Sequence, residues 1–183
     1  LSILNKKKII NKSLNKKIWK QKQIETIKFL KKIKQKKSLH IIFKYLKSKK
    51  TKIAIATNAI RETLDICCSK LKIDRYIDYK ISNDDVLHAK PFPEIYWKCM
   101  IKFKVLPSDT LIIEDSTHGR EAATNSGATL IPVRNCEDLN LIKIKKYYEF
   151  DINSNHSQSV RWVDESMNVL IPMAGLGSRF KDA

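Results

Sequence analysis

Hydrophobic and polar positions alternate along this chain in three textures. Between residues 18 and 33 apolar side chains recur at Ile24, Ile27, Leu30 and Ile33 with lysines between them, a narrow stripe at helical spacing. Residues 39–46 repeat it, with Ile42, Phe43 and Leu46 on one face, while residues 1–17 are too polar to assign beyond a frayed helix. After Lys50, short apolar runs alternate with longer periodic segments, which predicts βαβ units around a parallel sheet. Strands are expected at 52–56, 77–81, 111–113 and 129–133. Helices are expected at 60–71, at 93–103 with a proline in the first turn, and at 118–126 with Gly127 as the stop. From Leu139 to Ser166 the periodicity degrades, and the polar, turn-rich stretch 151–159 has the composition of a linker. A new apolar strand, 167–173, then runs into Ala174-Gly175-Leu176-Gly177-Ser178-Arg179-Phe180.

Charge changes this picture less than its size implies. The 183 residues carry a formal charge of +17, and residues 1–50, with eighteen lysines and the single acid Glu25, account for all of it. The rest of the chain is neutral. None of the arginines, Arg61, Arg75, Arg120, Arg134, Arg161 and Arg179, lies in the basic segment, and aromatic residues do not interleave with its lysines. Reading of base edges favours arginine and single-strand binding favours stacked aromatics, so the segment reads as a solvated lysine face and nucleic acid is not expected as a partner. Cys67, Cys68, Cys99 and Cys136 form neither a C-x-x-C pair nor a zinc-type spacing, which predicts reduced thiols. No apolar stretch approaches the roughly 20 residues that span a bilayer, and the lysine-rich start lacks the apolar centre of a signal peptide. These features predict a cytoplasmic chain with no membrane partner.

Candidate chemistry concentrates at predicted strand ends, where parallel sheets collect ligands. The first strand ends in Thr57-Asn58, whose hydroxyl and amide suit a phosphate, or equally a helix N-cap. Lys90 lies in His88-Ala-Lys90-Pro91-Phe-Pro93-Glu94, where two prolines fix the backbone and direct an ammonium to one point. The third strand ends in Glu114-Asp115. Adjacent carboxylates resist joint ionisation unless a cation joins them, and Mg²⁺ takes one or two carboxylates plus water and phosphate oxygens. Asp115 is the expected metal ligand. Glu114 is either a second ligand or, because strand residues alternate faces, one half of a salt bridge. Gly119, Ala122, Ala123, Gly127 and Ala128 let the next helix approach the sheet closely.

Taken in order, these stretches resemble the haloacid dehalogenase (HAD) superfamily, in particular its subfamily I phosphatases and β-phosphoglucomutase-like proteins. The match covers roughly residues 38–135, through Lys90-Pro-x-Pro-Glu94 and the Glu114-Asp-Ser-x-x-Gly-x-x-Ala-Ala-x-x-x-Gly-Ala128 pattern. Thr57 and Lys90 are 33 positions apart and Lys90 and Asp115 are 25 positions apart, intervals that suit the family. The resemblance implies a three-layer, Rossmann-like α/β core with a parallel sheet, preceded by an α-helical cap remnant. It implies Mg²⁺-dependent phosphoryl transfer on a small phosphorylated metabolite through an aspartyl-phosphate. Thr57 and Asn58 would bind phosphoryl oxygens, Lys90 would stabilise the nucleophile and the phosphoryl group, and Asp115 with Glu114 would hold the metal.

The chain departs from the family in one respect: no Asp-x-Asp occurs in it, although the nucleophile belongs on an earlier Asp-x-Asp-Gly strand. This predicts either a fragment of a longer protein or a domain that has lost catalysis, the first residue of Leu favouring the fragment, and in both cases a chain that does not turn over phosphate esters alone. The tail, from Val169 to Phe180, resembles the opening of a sugar-phosphate nucleotidyltransferase, with Gly175, Gly177, Ser178 and Arg179 as its contacts to a nucleoside triphosphate. The expected organisation is a lysine-rich helical cap remnant at 1–37, an incomplete HAD-like core at 38–150, a linker at 151–166 and the first strand and glycine-rich loop of a second domain at 167–183. The alternative reading is a non-catalytic module whose basic helices engage nucleic acid or an acidic partner on a HAD-like scaffold.

Overall fold

A computed structural model describes residues 12–30, 32–135, 137–154 and 168–171. In chain order the helices and strands are α1 (Lys12–Leu30), α2 (Lys37–Ser48), β1 (Ile53–Ala56), α3 (Arg61–Leu71), β2 (Tyr79–Ile81), α4 (Glu94–Phe103), β3 (Thr110–Glu114), α5 (Thr117–Asn125), β4 (Thr129–Pro132), α6 (Leu141–Ser154) and β5 (Asn168–Ile171). All five strands pair in parallel, in the order β2-β1-β5-β3-β4.

The two-residue period of the strands builds the layers. Ile53 and Ile55 of β1, with Leu111 and Ile113 of β3, face a core closed by Ile42, Phe43 and Leu46 of α2, Leu64 and Cys68 of α3, and Ile144 and Tyr148 of α6. The alternate residues Ala54, Ala56 and Ile112 face the opposite core, formed with Ile95, Tyr96, Cys99 and Met100 of α4 and Ala122 and Ala123 of α5. Helices therefore cover both faces of a parallel sheet, and β1 and β3 are buried along their whole length. This is the HAD-like three-layer α/β fold expected from the sequence. The large residues of β1 and β3 face α2, α3 and α6; the alanines of β1 let α4 pack closely on the other side.

Two expectations need correction. The weak pattern after Leu139 is a helix, α6, which runs to Ser154 and so enters the stretch expected to be linker. Its apolar positions Ile144 and Tyr148 are one turn apart and buried, but lysines between them thin out the periodicity. The strand expected to open a separate domain is β5, and it lies in the middle of this sheet, between β1 and β3. The ends of β1 and β3 are consequently not neighbours; two strand spacings, about 10 Å, separate them. In the lysine-rich part, α1 packs against α3. Met167, Cys136 and the residues Gly175, Gly177, Ser178 and Arg179 lie outside the described residues.

Candidate functional site

Parallel pairing sends the ends of β1 and β3 to the same edge of the sheet. Thr57 and Asn58 follow β1, and Asp115 follows β3. Lys90 links the two ends: its Nζ donates to the carbonyl of Ala56 at 3.2 Å and to Glu114 Oε2 at 2.9 Å. Both side chains of this ion pair are buried, at 2% exposure for Lys90 and 0% for Glu114. The structure thus brings together Thr57, Asn58, Lys90, Glu114 and Asp115, which the sequence placed in three separate stretches.

The loop that carries Lys90 is held at several points. Asn58 clasps its backbone, accepting from Lys90 N at 3.2 Å and donating from Nδ2 to Lys90 O at 3.3 Å. Thr57 is buried; its Oγ1 accepts from Ala59 N at 3.1 Å, and its N–H donates to Ile81 O at 3.1 Å. Neither residue is the N-cap of α3, a position held by Ile60. The Lys90–Pro91 peptide bond is cis. At the far side of the loop the Glu94 carboxylate accepts from Leu87 N at 2.9 Å and His88 N at 2.8 Å. Those backbone donors, with Lys98 and His88, lower the Glu94 carboxyl from its ordinary value of 4.5 to about 2.

A carboxyl depressed on folding contributes stability that is present above its unfolded value and is lost as pH falls through its folded value. Glu94 therefore strengthens the fold above about pH 4.5, and that contribution fades between there and about pH 2. Glu94→Gln is expected to remove this part of the acid dependence, and urea melts of both forms across that range would show it as a shallower slope for the variant.

Glu114 is the most heavily bonded side chain of the site. Oε2 accepts from Lys90 and from Tyr96 Oη at 2.7 Å, while Oε1 accepts from Asp115 N and Ser116 N, each at 3.1 Å, and from Ser116 Oγ at 2.8 Å. Ser116 also caps α5, its Oγ accepting from Gly119 N at 3.1 Å. Burial pushes the Glu114 carboxyl up, but the Lys90 ammonium, Tyr96 and Ser116 outweigh it and hold the carboxyl below its ordinary value. Burial lowers the Lys90 ammonium, against the pull of Glu114. The Tyr96 ring also lies 4.8 Å from Lys90 Nζ, so one aromatic side chain braces both charges.

Of the two readings open for Glu114, the structure displays the salt bridge. Asp115, half-buried at the mouth of the strand end, is the carboxylate better placed for a cation. Among the described residues no group of three or more His, Cys, Asp or Glu side chains is gathered for metal binding. The donor set still fits Mg²⁺, which needs one or two carboxylates and fills its remaining positions with water and phosphate oxygens. The buried thiols offer no competing chemistry, since burial pushes Cys67, Cys68 and Cys99 each up to about 12.

Tyr96 and Ser116 were missing from the expected site. Tyr96 sits on the apolar stripe of α4 with Ile95, Cys99 and Met100, a pattern that reads as core; its hydroxyl was the only hint that something polar lay opposite. Gly119 was read as a packing glycine. Its neighbour proves to be the Glu114 carboxyl group itself, into which a Cβ at position 119 would run.

The sequence profile of the haloacid dehalogenase-like hydrolase family matches residues 2–133, and the chain belongs to that family. It is 37% identical over 84 residues to a phosphorylated carbohydrates phosphatase of Thermotoga maritima, covering 45% of this chain and 38% of that protein. It is 32% identical over 88 residues to the pyrophosphatase PpaX of Bacillus mycoides, covering 48% and 41%. The chain thus spans about two-fifths of the length of these curated relatives, 38% and 41%. Among solved structures, the fold resembles a β-phosphoglucomutase from Clostridium difficile, with a TM-score of 0.69 and 19% identity over 86% of this chain and 75% of that one. A HAD hydrolase from Entamoeba histolytica gives 0.61 and 24%, over 75% and 62%. Among the described residues no helix is long and apolar enough to cross a membrane.

Proposed function

We propose that this chain carries the phosphate-binding and cation-binding part of a Mg²⁺-dependent phosphatase or phosphomutase that acts on a small phosphorylated metabolite, a sugar phosphate in the first instance. The observation that carries the reading is the Lys90 bridge between the two strand ends, which gathers a hydroxyl, an amide, an ammonium and two carboxylates at one edge of the sheet. The names of the relatives support it: one is a phosphatase of phosphorylated carbohydrates and another a pyrophosphatase.

In this reading Thr57 and Asn58 bind phosphoryl oxygens and Lys90 neutralises charge that builds up on the transferring group. Asp115, with Glu114 behind it, holds Mg²⁺, which when bound polarises the phosphoryl group and offsets its charge. Glu114 keeps the ammonium aimed at the strand ends, and Asn58 keeps the loop backbone in place. Residues 1–37 belong to the cap, the core runs from 38 to the end of α6 and includes β5, and Gly175, Gly177, Ser178 and Arg179 beyond β5 contact a nucleoside triphosphate as the opening of a sugar-phosphate nucleotidyltransferase. The parent enzyme is cytoplasmic. This chain by itself, without an Asp-x-Asp stretch, does not turn over phosphate esters.

The test is a phosphatase assay of the parent protein on a panel of sugar phosphates. Removal of Mg²⁺ by a chelator and the substitution Asp115→Asn are each expected to lower kcat/KM by at least about 100-fold, equivalent to roughly 2.7 kcal/mol of transition-state stabilisation. Full activity of Asp115→Asn would remove the metal assignment, and activity of this chain alone would remove the fragment reading.

A further inference from the structure

Tyr96 occupies a core position that a phenylalanine would fill as well. The whole residue is buried, among Ile95, Cys99 and Met100 of α4 and Ala54, Ala56 and Ile112 of the sheet. A hydroxyl in such surroundings is costly unless it meets a partner. The partner is Glu114 Oε2, at 2.7 Å, and the same oxygen accepts from Lys90 Nζ at 2.9 Å. Lys90 Nζ also lies 4.8 Å from the centroid of the Tyr96 ring. Tyr96 thus acts on one ammonium twice, directly through its π face and indirectly through the carboxylate that the two side chains share.

The influence of this contact reaches beyond Lys90. Glu114 Oε1 accepts from the N–H of Asp115 at 3.1 Å, so a carboxylate held at Oε2 by Tyr96 also fixes, at Oε1, the backbone that carries the candidate cation ligand. Lys90 lies in the loop before α4 and Asp115 in the turn before α5, and Glu114 is the joint between them. A lysine ammonium has three rotatable donors and imposes little direction on the carboxylate it meets. A phenol on a packed helix arrives from one direction only, and with it the plane of the carboxylate is set. The start of α4 is itself tied to the Lys90 loop, because Glu94 accepts from the N–H groups of Leu87 and His88. The helix that carries Tyr96 and the loop that carries Lys90 therefore hold a common position.

We propose that Tyr96 is a positioning residue, which through Glu114 sets the place of the Lys90 ammonium relative to the Asp115 turn so that both meet the same phosphoryl group. It touches no substrate. Its hydroxyl aligns the carboxylate and its ring supports the ammonium, and the two contributions are separable by substitution. The consequence for catalysis rests on the phosphoryl-transfer reading given above, whereas the hold on Lys90 and Asp115 is a property of this chain.

Tyr96→Phe keeps the ring and removes the hydroxyl, and Tyr96→Leu removes both. In the isotope-labelled chain, hydrogen exchange is followed by NMR at the Lys90 ammonium, identified by its loss in Lys90→Arg, at the Asp115 amide, and at the ladder amides of β1 and β3. Tyr96→Phe is expected to speed exchange at Lys90 and Asp115 by at least about tenfold more than at the ladder, the weight of one ordinary hydrogen bond. Tyr96→Leu should speed Lys90 further; if that variant does not fold, Tyr96→Phe alone decides. A merely structural tyrosine would speed all sites together, and that result, or unaltered exchange at Lys90 and Asp115, would overturn the proposal. In the parent enzyme, counted per folded molecule, Tyr96→Phe should lower kcat by at least about tenfold and leave KM within about twofold, because what is lost is alignment toward the transferring group and not a contact with bound substrate. Full kcat, or a rise in KM alone, would remove the positioning role. A wild-type parent inactive on every sugar phosphate strikes the phosphatase reading instead, and the exchange rates still decide the hold.

Discussion

Replacing Lys90 by methionine is expected to destabilise the folded chain by roughly 3–5 kcal/mol near neutral pH, because it strands the Glu114 carboxylate in the core. Glu114 is 0% exposed, and its remaining donors, Tyr96, Ser116 and two backbone N–H groups, carry no charge. The pair sits in a region where removing one ion costs far more than the pair contributes. Glu114→Gln in the Lys90→Met background should therefore recover at least half of the loss, and urea melts of wild type, both single variants and the double variant close the cycle.

The pH dependence carries the opposite sign to that of the wild type. Burial is the largest influence raising the Glu114 carboxyl and Lys90 the largest lowering it, so removal of the ammonium is expected to leave the carboxyl above its unfolded value; the neutral form would then stabilise the fold at low pH, with that stability lost as pH rises through the raised value. Lys90→Met should thus lie closer to wild type at about pH 5 than at about pH 8. A deficit that does not vary with pH would mean that Glu114 is not ionised in the wild type.

Gly119→Ala is the second large effect. The added Cβ would meet the carboxyl carbon and both oxygens of Glu114. The far end of a free side chain would swing aside at little cost, but this one is anchored by Lys90, Tyr96, Ser116 Oγ and the backbone N–H groups of Asp115 and Ser116 just before α5. Overpacking alone costs about 1–3 kcal/mol, and any shift of Glu114 also lengthens buried, charge-assisted hydrogen bonds. The expected result is a loss of about 3 kcal/mol by denaturant unfolding. Gly119→Ala in a Glu114→Ala background, where the obstructing carboxyl is gone, should add less than about 1 kcal/mol. Equal losses in the two backgrounds would show that Gly119 is needed for the helix alone.

Both effects concern a relationship that sequence reading half anticipated. The Lys90 loop was legible because Pro91 and Pro93 restrict the backbone locally, and Glu114-Asp115 was legible because a buried strand that ends in acids demands a cation. The sign of Glu114's partnership was not legible. It depends on which face of β3 the side chain occupies, and on Tyr96, eighteen residues away on a helix whose stripe otherwise reads as plain core. The helix α6 was missed for a related reason: lysines dilute its apolar face, and packing of Ile144 and Tyr148 against α2 and β1 supplies what local periodicity lacks.

The amino-acid sequence by itself determined the local elements and the chemistry they carry. Apolar runs and period-3.6 patterns placed all five strands of the described residues and most of the helices, because those signals reside in residues close along the chain. Only the tertiary structure decided what lies side by side: that Lys90 spans from Ala56 to Glu114, that Gly119 makes room for a carboxyl group, and that β5 separates β1 from β3. Strand order and side-chain partnership are set by burial and backbone hydrogen bonding among segments tens of residues apart, and such contacts leave no period in the chain.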